Sequence, residues 1–305
     1  MTRASFSAPS DNARLGIAYM LGSAFLFNIV NALAKWLSAD YSIIEITFFR
    51  SFFAFIPCLI AVASGPGIGA LRTQRPWLHL FRGSAGFTST LLAFTSFSLL
   101  PIADAVAISF ATPLFLTALS VPMLGEKVGV YRWSAVIVGF LGVMVMARPS
   151  GTGASLGFTT AVASTVLNAL IMITVRRLGR TEMPITILFY QALICTTAST
   201  LLLPFGWTMP TLADFALFVL LGLVGFAGQF CQTQAFRYGP VAVVGPFNYT
   251  GLVWATVFGY LVWSDLPGPR TILGGSIVIA SGIYILYRET RRAVAVVSAV
   301  PPQSG

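Results

Sequence analysis

The chain is poor in nearly everything a soluble enzyme uses for chemistry. Its 305 residues include 9 acidic side chains, 1 histidine and 3 cysteines, and only 9% of them are charged, against roughly a quarter in a soluble globular protein. Cys58, Cys195 and Cys231 lie in apolar runs without metal-ligand spacing. They read as packing residues, not as a metal site or a disulfide framework. With the single histidine, His79, and no second carboxylate near Asp104, the sequence offers no nucleophile with its base, no aspartyl pair and no metal cluster. A membrane-embedded enzyme is therefore disfavoured, and no cofactor is expected. The net charge of +9 comes from basic residues standing singly or in pairs at the ends of apolar runs, a pattern of membrane topology rather than of nucleic-acid binding.

Apolar residues, in contrast, make up 56% of the chain and fall into ten long runs, near 15–37, 42–64, 76–99, 103–123, 131–148, 155–176, 184–204, 213–235, 240–262 and 270–288. About 20 mostly apolar residues let a helix cross a bilayer core of ~30 Å. The spacing thus predicts an all-α integral membrane protein with ten transmembrane helices; a β-barrel would show shorter, alternating segments. Residues 1–14 and 289–305 are expected to be tails. With the N-terminus in the cytoplasm, thirteen basic residues fall inside and three, Lys35, Arg148 and Arg270, outside; Arg50 and Arg82 lie within helices. This bias places both termini in the cytoplasm of a multi-pass inner-membrane protein. The first run contains Ala32-Leu33-Ala34, which imitates a signal-peptide cleavage site, but it is too long for a typical signal core.

An offset of 139 to 141 residues aligns the first five runs with the last five. Gly16 meets Gly157, Lys35 meets Arg176, Phe48 meets Phe189, Gly83 and Gly86 meet Gly222 and Gly225, Pro101 meets Pro240, and Glu126 meets Asp265. Five crossings per half make the repeat inverted, with halves at 15–150 and 151–288. Inverted repeats are a common plan of secondary transporters, with a site near the midplane between the halves.

Glu45-Ile46-Thr47-Phe48-Phe49-Arg50, Leu99-Leu100-Pro101-Ile102-Ala103-Asp104-Ala105, Ala111-Thr112-Pro113-Leu114-Phe115 and Leu124-Gly125-Glu126-Lys127, taken with the repeat, resemble the EamA-domain branch of the drug/metabolite transporter superfamily over residues 15–288. Ser264-Asp265-Leu266 departs from the Gly-Glu the family often has there. The resemblance implies carriage of a small metabolite, with riboflavin-type uptake the leading expectation. S-adenosylmethionine carriage and export of amino acids or related metabolites are the alternatives. It leaves a homodimer open.

Ionisable groups within the membrane are costly and are functional candidates by default. Arg50 is expected to contact substrate or gate, or to pair with Asp104 on another helix. Glu45 follows Ser42 with capping-box spacing; it and Asp104 are the candidates for proton coupling. Arg82 reads as snorkelling to the interface, and His79 beside Trp77 as an interfacial anchor. Thr112-Pro113 and the run Gly245 to Gly251, with Phe247, Asn248 and Tyr249, interrupt matching helices of the two halves, a pointer to the substrate site. Asn28, Asn31, Asn168, Gln229 and Gln232 add amides at depth. The expected site lies between the halves, lined by crossings 1, 2, 4, 6, 8 and 9, where amides and aromatic rings suit a flat heterocycle.

Overall fold

A computed structural model describes residues 12–65, 67–124, 129–147, 152–178, 181–239 and 241–298. All regular structure among them is helical, as a bilayer requires of any segment that must satisfy its own backbone. The helices are α1 (Ala13–Leu37), α2 (Ile43–Ser64), α3 (Pro76–Leu99), α4 (Ile102–Ser109), α5 (Thr112–Leu124), α6 (Val130–Met146), α7 (Thr152–Leu178), α8 (Pro184–Leu202), α9 (Leu212–Tyr238), α10 (Val241–Val244), α11 (Gly251–Trp263) and α12 (Pro269–Ser298). Short 3-10 turns cover Ile68–Leu71, Leu203–Phe205 and Gly245–Thr250.

Seven spans among the described residues are long and apolar enough to cross a membrane, with Ile102–Met123 counted as one across α4 and α5. Three of the ten predicted runs are missing from that set, for separate physical reasons. In α3, His79, Arg82 and a series of serines and threonines dilute the apolar character of 24 residues. α6 has 17 residues, slightly short of ~20 for a perpendicular span. The run 240–262 is broken, since Pro246 removes a backbone donor and six residues adopt the tighter 3-10 winding before α11 begins. At the C-terminal end, α12 continues to Ser298 instead of stopping at 288, because neither proline nor glycine intervenes before Pro301.

Helix pairing is matched between the two halves of the chain. α1 packs along α9 as α7 packs along α3; α2 packs on α9 as α8 packs on α3; α2 meets α8, and α6 meets α12. Missing side chains let the backbones approach. A methyl group on Gly142 of α6 would stand 2.8 Å from the Gly274 carbonyl of α12, and one on Gly157 of α7 would stand 2.8 Å from Leu100. In lipid this close packing, rather than a hydrophobic drive between helices, holds crossings together.

The ends of the bundle differ in character. At the far end, where α1 and α3 finish, Lys35 Nζ donates to the Leu100 carbonyl at 2.9 Å and pairs with Asp265 at 3.4 Å. The Lys35 ammonium also lies 5.1 Å from the Trp263 ring centre. Ser42 Oγ donates to the Gly206 carbonyl at 2.7 Å and Tyr41 Oη to Asp214 at 2.8 Å, joining the α1–α2 connection to the α8–α9 loop. Helix α4 beside them is buried from Ile102 to Ile108. At the near end, Thr73 donates to Glu182 at 2.8 Å, Tyr190 donates to the Leu71 carbonyl at 2.9 Å, and Arg177 donates to the Met123 carbonyl. Glu126, Lys127, Arg148 and Arg180 lie outside the described residues.

Ser264 ends α11 in the left-handed region at φ 57°, with its own and the next backbone N–H returning to Tyr260 and Gly259. Glycine is the residue that adopts this conformation without strain. Ser264→Gly is expected to stabilise the protein by about 1 kcal/mol, read as a higher thermal unfolding midpoint in detergent. Gly142→Val should do the reverse, forcing α6 and α12 apart at a cost of about 1–3 kcal/mol and lowering the yield of monodisperse protein on size exclusion.

Candidate functional site

The two predicted interruptions face one another across the core. Phe110 and Ala111 separate α4 from α5, and the Thr112 hydroxyl bridges the break by donating to the Ser109 carbonyl at 2.6 Å. Opposite them, Tyr249 in the 3-10 turn meets Phe110 edge to face, ring centres 5.0 Å apart. A methyl group on Gly251 would lie 3.2 Å from Asn28 Nδ2 and 3.6 Å from the Phe110 ring. Asn28, Phe110, Tyr249 and Gly251 thus form one cluster. Asn28 Nδ2 donates back to the Ala24 carbonyl at 2.8 Å. Asn28 Oδ1 and Tyr249 Oη are buried with no partner among the described residues, a costly arrangement unless something else hydrogen-bonds them. Phe247 and Asn248 share the turn with Tyr249 and are half-buried.

A second group lies on another face of α1. Arg50 is seven residues into α2, ~10 Å below its far end at 1.5 Å per residue. Its guanidinium carbon sits 5.8 Å from the Phe94 ring centre. A methyl group on Gly225 of α9 would stand 3.8 Å from both Arg50 Nε and Val30. Phe94, Val30 and Gly225 are all buried, so the half-buried Arg50 reaches into space enclosed by α1, α3 and α9 rather than into lipid. Gly225, Gln229 and Gln232 follow at helical spacing and share one face of α9. The two amides touch, with Gln229 Nε2 3.5 Å from Gln232 Oε1. This polar stripe runs from Arg50 toward the near end. Phe230 points off it and is 49% exposed.

Helix α7 changes its exposed face along its length. Residues 157, 161, 164, 168 and 172 recur at intervals of four and three and form one stripe. Gly157, Ala161 and Ser164 are buried, with Ser89 donating to the Ser164 carbonyl at 3.1 Å; Asn168 and Met172 on the same stripe are exposed. This stripe leaves the packed core about halfway along the helix, while Ala169, Ile173 and Leu178 on its other faces stay buried. Asn31, on α1, is half-buried with no side-chain bond among the described residues.

Several expectations are corrected. Arg50 does not pair with Asp104: the Asp104 carboxylate, buried in α4, accepts from Thr271 of α12 at 2.7 Å. Glu45 does take its backbone N–H to Ser42 Oγ at 3.2 Å, but its carboxylate closes no reciprocal box. Instead Oε2 accepts from the Thr208 N–H at 3.2 Å across the far-end loop, and Oε1 is buried without a partner. Arg82 is buried and donates to the Ile187 carbonyl of α8 at 3.2 Å rather than snorkelling. His79 is likewise buried, against Tyr190 with ring centres 4.6 Å apart; only Trp77 stands out at the interface, 80% exposed. Both reverse for the same reason: they lie on the face of α3 that packs on α8. Sequence reasoning missed Thr271 and Thr208, neutral residues whose roles depend on contacts between distant helices.

Unmatched polar atoms and aromatic rings thus lie between packed helix pairs, with polar contacts between distant elements at both ends of the bundle. Comparison with known proteins then identifies the family. The EamA-like transporter family model matches residues 14–148 and again 155–288. Similar proteins include an S-adenosylmethionine uptake transporter of Rickettsia bellii, 29% identical over 277 residues, covering 91% of this chain and 95% of its own. A riboflavin transporter of Rhizobium johnstonii is 28% identical over 295 residues, 96% of this chain and 97% of its own. A pseudopaline exporter of Pseudomonas aeruginosa is 28% identical over 275 residues, 90% of this chain and 96% of its own. A solved crystal structure with 20% identity superposes at a TM-score of 0.62 over 92% of this chain and 98% of its own, a likeness of fold. With its two halves each matched in full length, this multi-pass membrane chain belongs to the EamA-like transporter family.

Proposed function

We propose that the protein is a secondary carrier working by alternating access, built as ten crossings in a 5+5 inverted repeat of residues 15–150 and 151–288. In this reading α4 with α5, and α10 with α11, are the paired interrupted crossings. Both termini face the cytoplasm of the inner membrane, so the near end is the cytoplasmic end. The observation that carries the reading is the α7 stripe, buried through Ser164 and exposed from Asn168, beside the polar stripe of α9. On this reading the two stripes line a cleft closed at the far end and entered from the near end. Rocking of the halves would exchange these two conditions.

The cargo on this reading is a small metabolite with a flat heterocycle, of the size of riboflavin or S-adenosylmethionine. Phe94, Phe110 and Tyr249 offer ring faces and edges to such a group, and Asn28 Oδ1 and Tyr249 Oη offer unmatched hydrogen-bonding atoms. The relative named for uptake, the S-adenosylmethionine transporter, supports import; the pseudopaline exporter supports the second reading, efflux, through the same cleft. Asn31, Thr112, Asn168, Gln229, Gln232, Phe247 and Asn248 complete the proposed lining, and Asp104 and Glu45 remain the proposed proton-coupling groups.

Proteoliposomes holding the protein should accumulate labelled riboflavin or S-adenosylmethionine above empty liposomes, with and without a pH gradient. If neither accumulates, the cargo reading fails. Asn168→Cys, in a background without Cys58, Cys195 and Cys231, should react with a membrane-impermeant maleimide from the near end only. Saturating cargo should slow that labelling about threefold or more, as expected when occupied states exclude the reagent. Equal labelling from both faces would overturn the one-sided cleft.

A further inference from the structure

We infer that Arg50 binds an anionic group of the cargo, so that the substrate is a metabolite carrying a free carboxylate. This inference rests on the carrier reading above and narrows it to one chemical class.

The argument is an account of countercharge. A guanidinium stays protonated under all physiological conditions and presents five donors. Holding one within a membrane protein is expensive unless it is paired or hydrogen-bonded. Arg50 has no hydrogen bond or ion pair among the described residues, and its Nε is buried with no partner. What it does have is the face of Phe94, an attraction worth less than an ion pair and one that leaves the in-plane N–H donors unused.

Each described carboxylate is engaged or distant. Glu45 accepts from Thr208, Asp104 from Thr271, Glu182 from Thr73, and Asp214 from Tyr41 and Thr211, while Asp265 pairs with Lys35. Asp40 is exposed in the α1–α2 turn. Arg82, a second buried guanidinium, also leaves its Nε without a partner, but its Nη1 is tied to a backbone carbonyl of α8, a bond that Arg50 lacks among the described residues. Arg50 is placed differently. It stands at the closed end of the stripe that continues through Gln229 and Gln232 toward the open end, where a solute entering the cleft would reach it last.

A carboxylate is the group that matches these donors, because a planar fork of N–H groups accepts it through two parallel hydrogen bonds. Phe94 then supports the guanidinium from one face and holds its plane. Riboflavin, uncharged at neutral pH, would leave Arg50 unpaired. S-adenosylmethionine carries the required group.

The test compares matched compounds on the purified full chain, by thermal protection and by proteoliposome uptake: S-adenosylmethionine, its decarboxylated analogue, and riboflavin. Wild type should prefer the carboxylate form by about ten- to hundredfold in half-saturating concentration, the range for a charge-assisted hydrogen bond. Arg50→Gln should erase that preference while binding of the decarboxylated analogue changes less than twofold; Arg50→Lys should retain part of it. Should Arg50→Gln fail to fold, the wild-type preference decides alone. Equal protection by the carboxylate and decarboxylated forms, or wild-type uptake of riboflavin as efficient as that of S-adenosylmethionine, overturns this inference and leaves the carrier reading standing. Protection by the carboxylate form without any uptake supports the anion site and counts against the carrier.

Discussion

Everything in this fold follows from the need to bring helices close together where water cannot help. In hydrocarbon, a leucine gains nothing by leaving lipid for protein. Association therefore depends on backbones near enough for dispersion contacts to add up. Gly142 against Gly274, Gly157 against Leu100 and Gly222 against Phe53 supply that proximity. Once α1 is fixed along α9 and α3 along α7, the remaining helices have few other places to lie. The polar groups trapped between them must then find partners in one another or in a solute.

The polar groups divide accordingly. At the far end, Lys35, Asp265, Tyr41 and Asp214 are consumed in contacts between helix ends and loops, and Glu45 through one of its two carboxylate oxygens. Such contacts lie at the membrane boundary, where water lowers the cost of separating them. In the interior, Asn28, Tyr249 and Arg50 keep unmatched atoms, and there no water-like environment offsets the loss. On the proposed carrier reading, the same chemistry serves closure at the rim and recognition in the middle.

Much of the architecture was legible in the sequence, because a bilayer imposes one length and one composition on each crossing. The run 15–37 became α1 and 42–64 became α2 within one or two residues, and both interruptions fell near the prolines that announced them. The site was legible in its parts but not in its grouping. Arg50 and Asn28 are both visible as polar residues at depth, yet Arg50, on α2, lies beside a different face of α1 from the one that carries Asn28, and spacing along separate helices does not reveal that. Arg82 and His79 were misread because their depth resembled an interface position, while the deciding fact was which face of α3 meets α8. Asp104 found Thr271 rather than Arg50 for a related reason: a carboxylate near a helix start can be satisfied by a hydroxyl, which carries no charge signal to search for.

The 3-10 turn from Gly245 to Thr250 has a mechanical consequence. Its hydrogen bonds are poorer in geometry than those of an α-helix and its rise per residue is greater, ~2.0 Å against ~1.5 Å. It is thus the softest part of its crossing, able to lengthen or shorten by rewinding without breaking the helices on either side. Phe247, Asn248 and Tyr249 sit within that stretch, so the residues that would feel a solute are also those whose backbone yields most readily. On the carrier reading, contact made there would act on this soft turn itself, with no intervening lever.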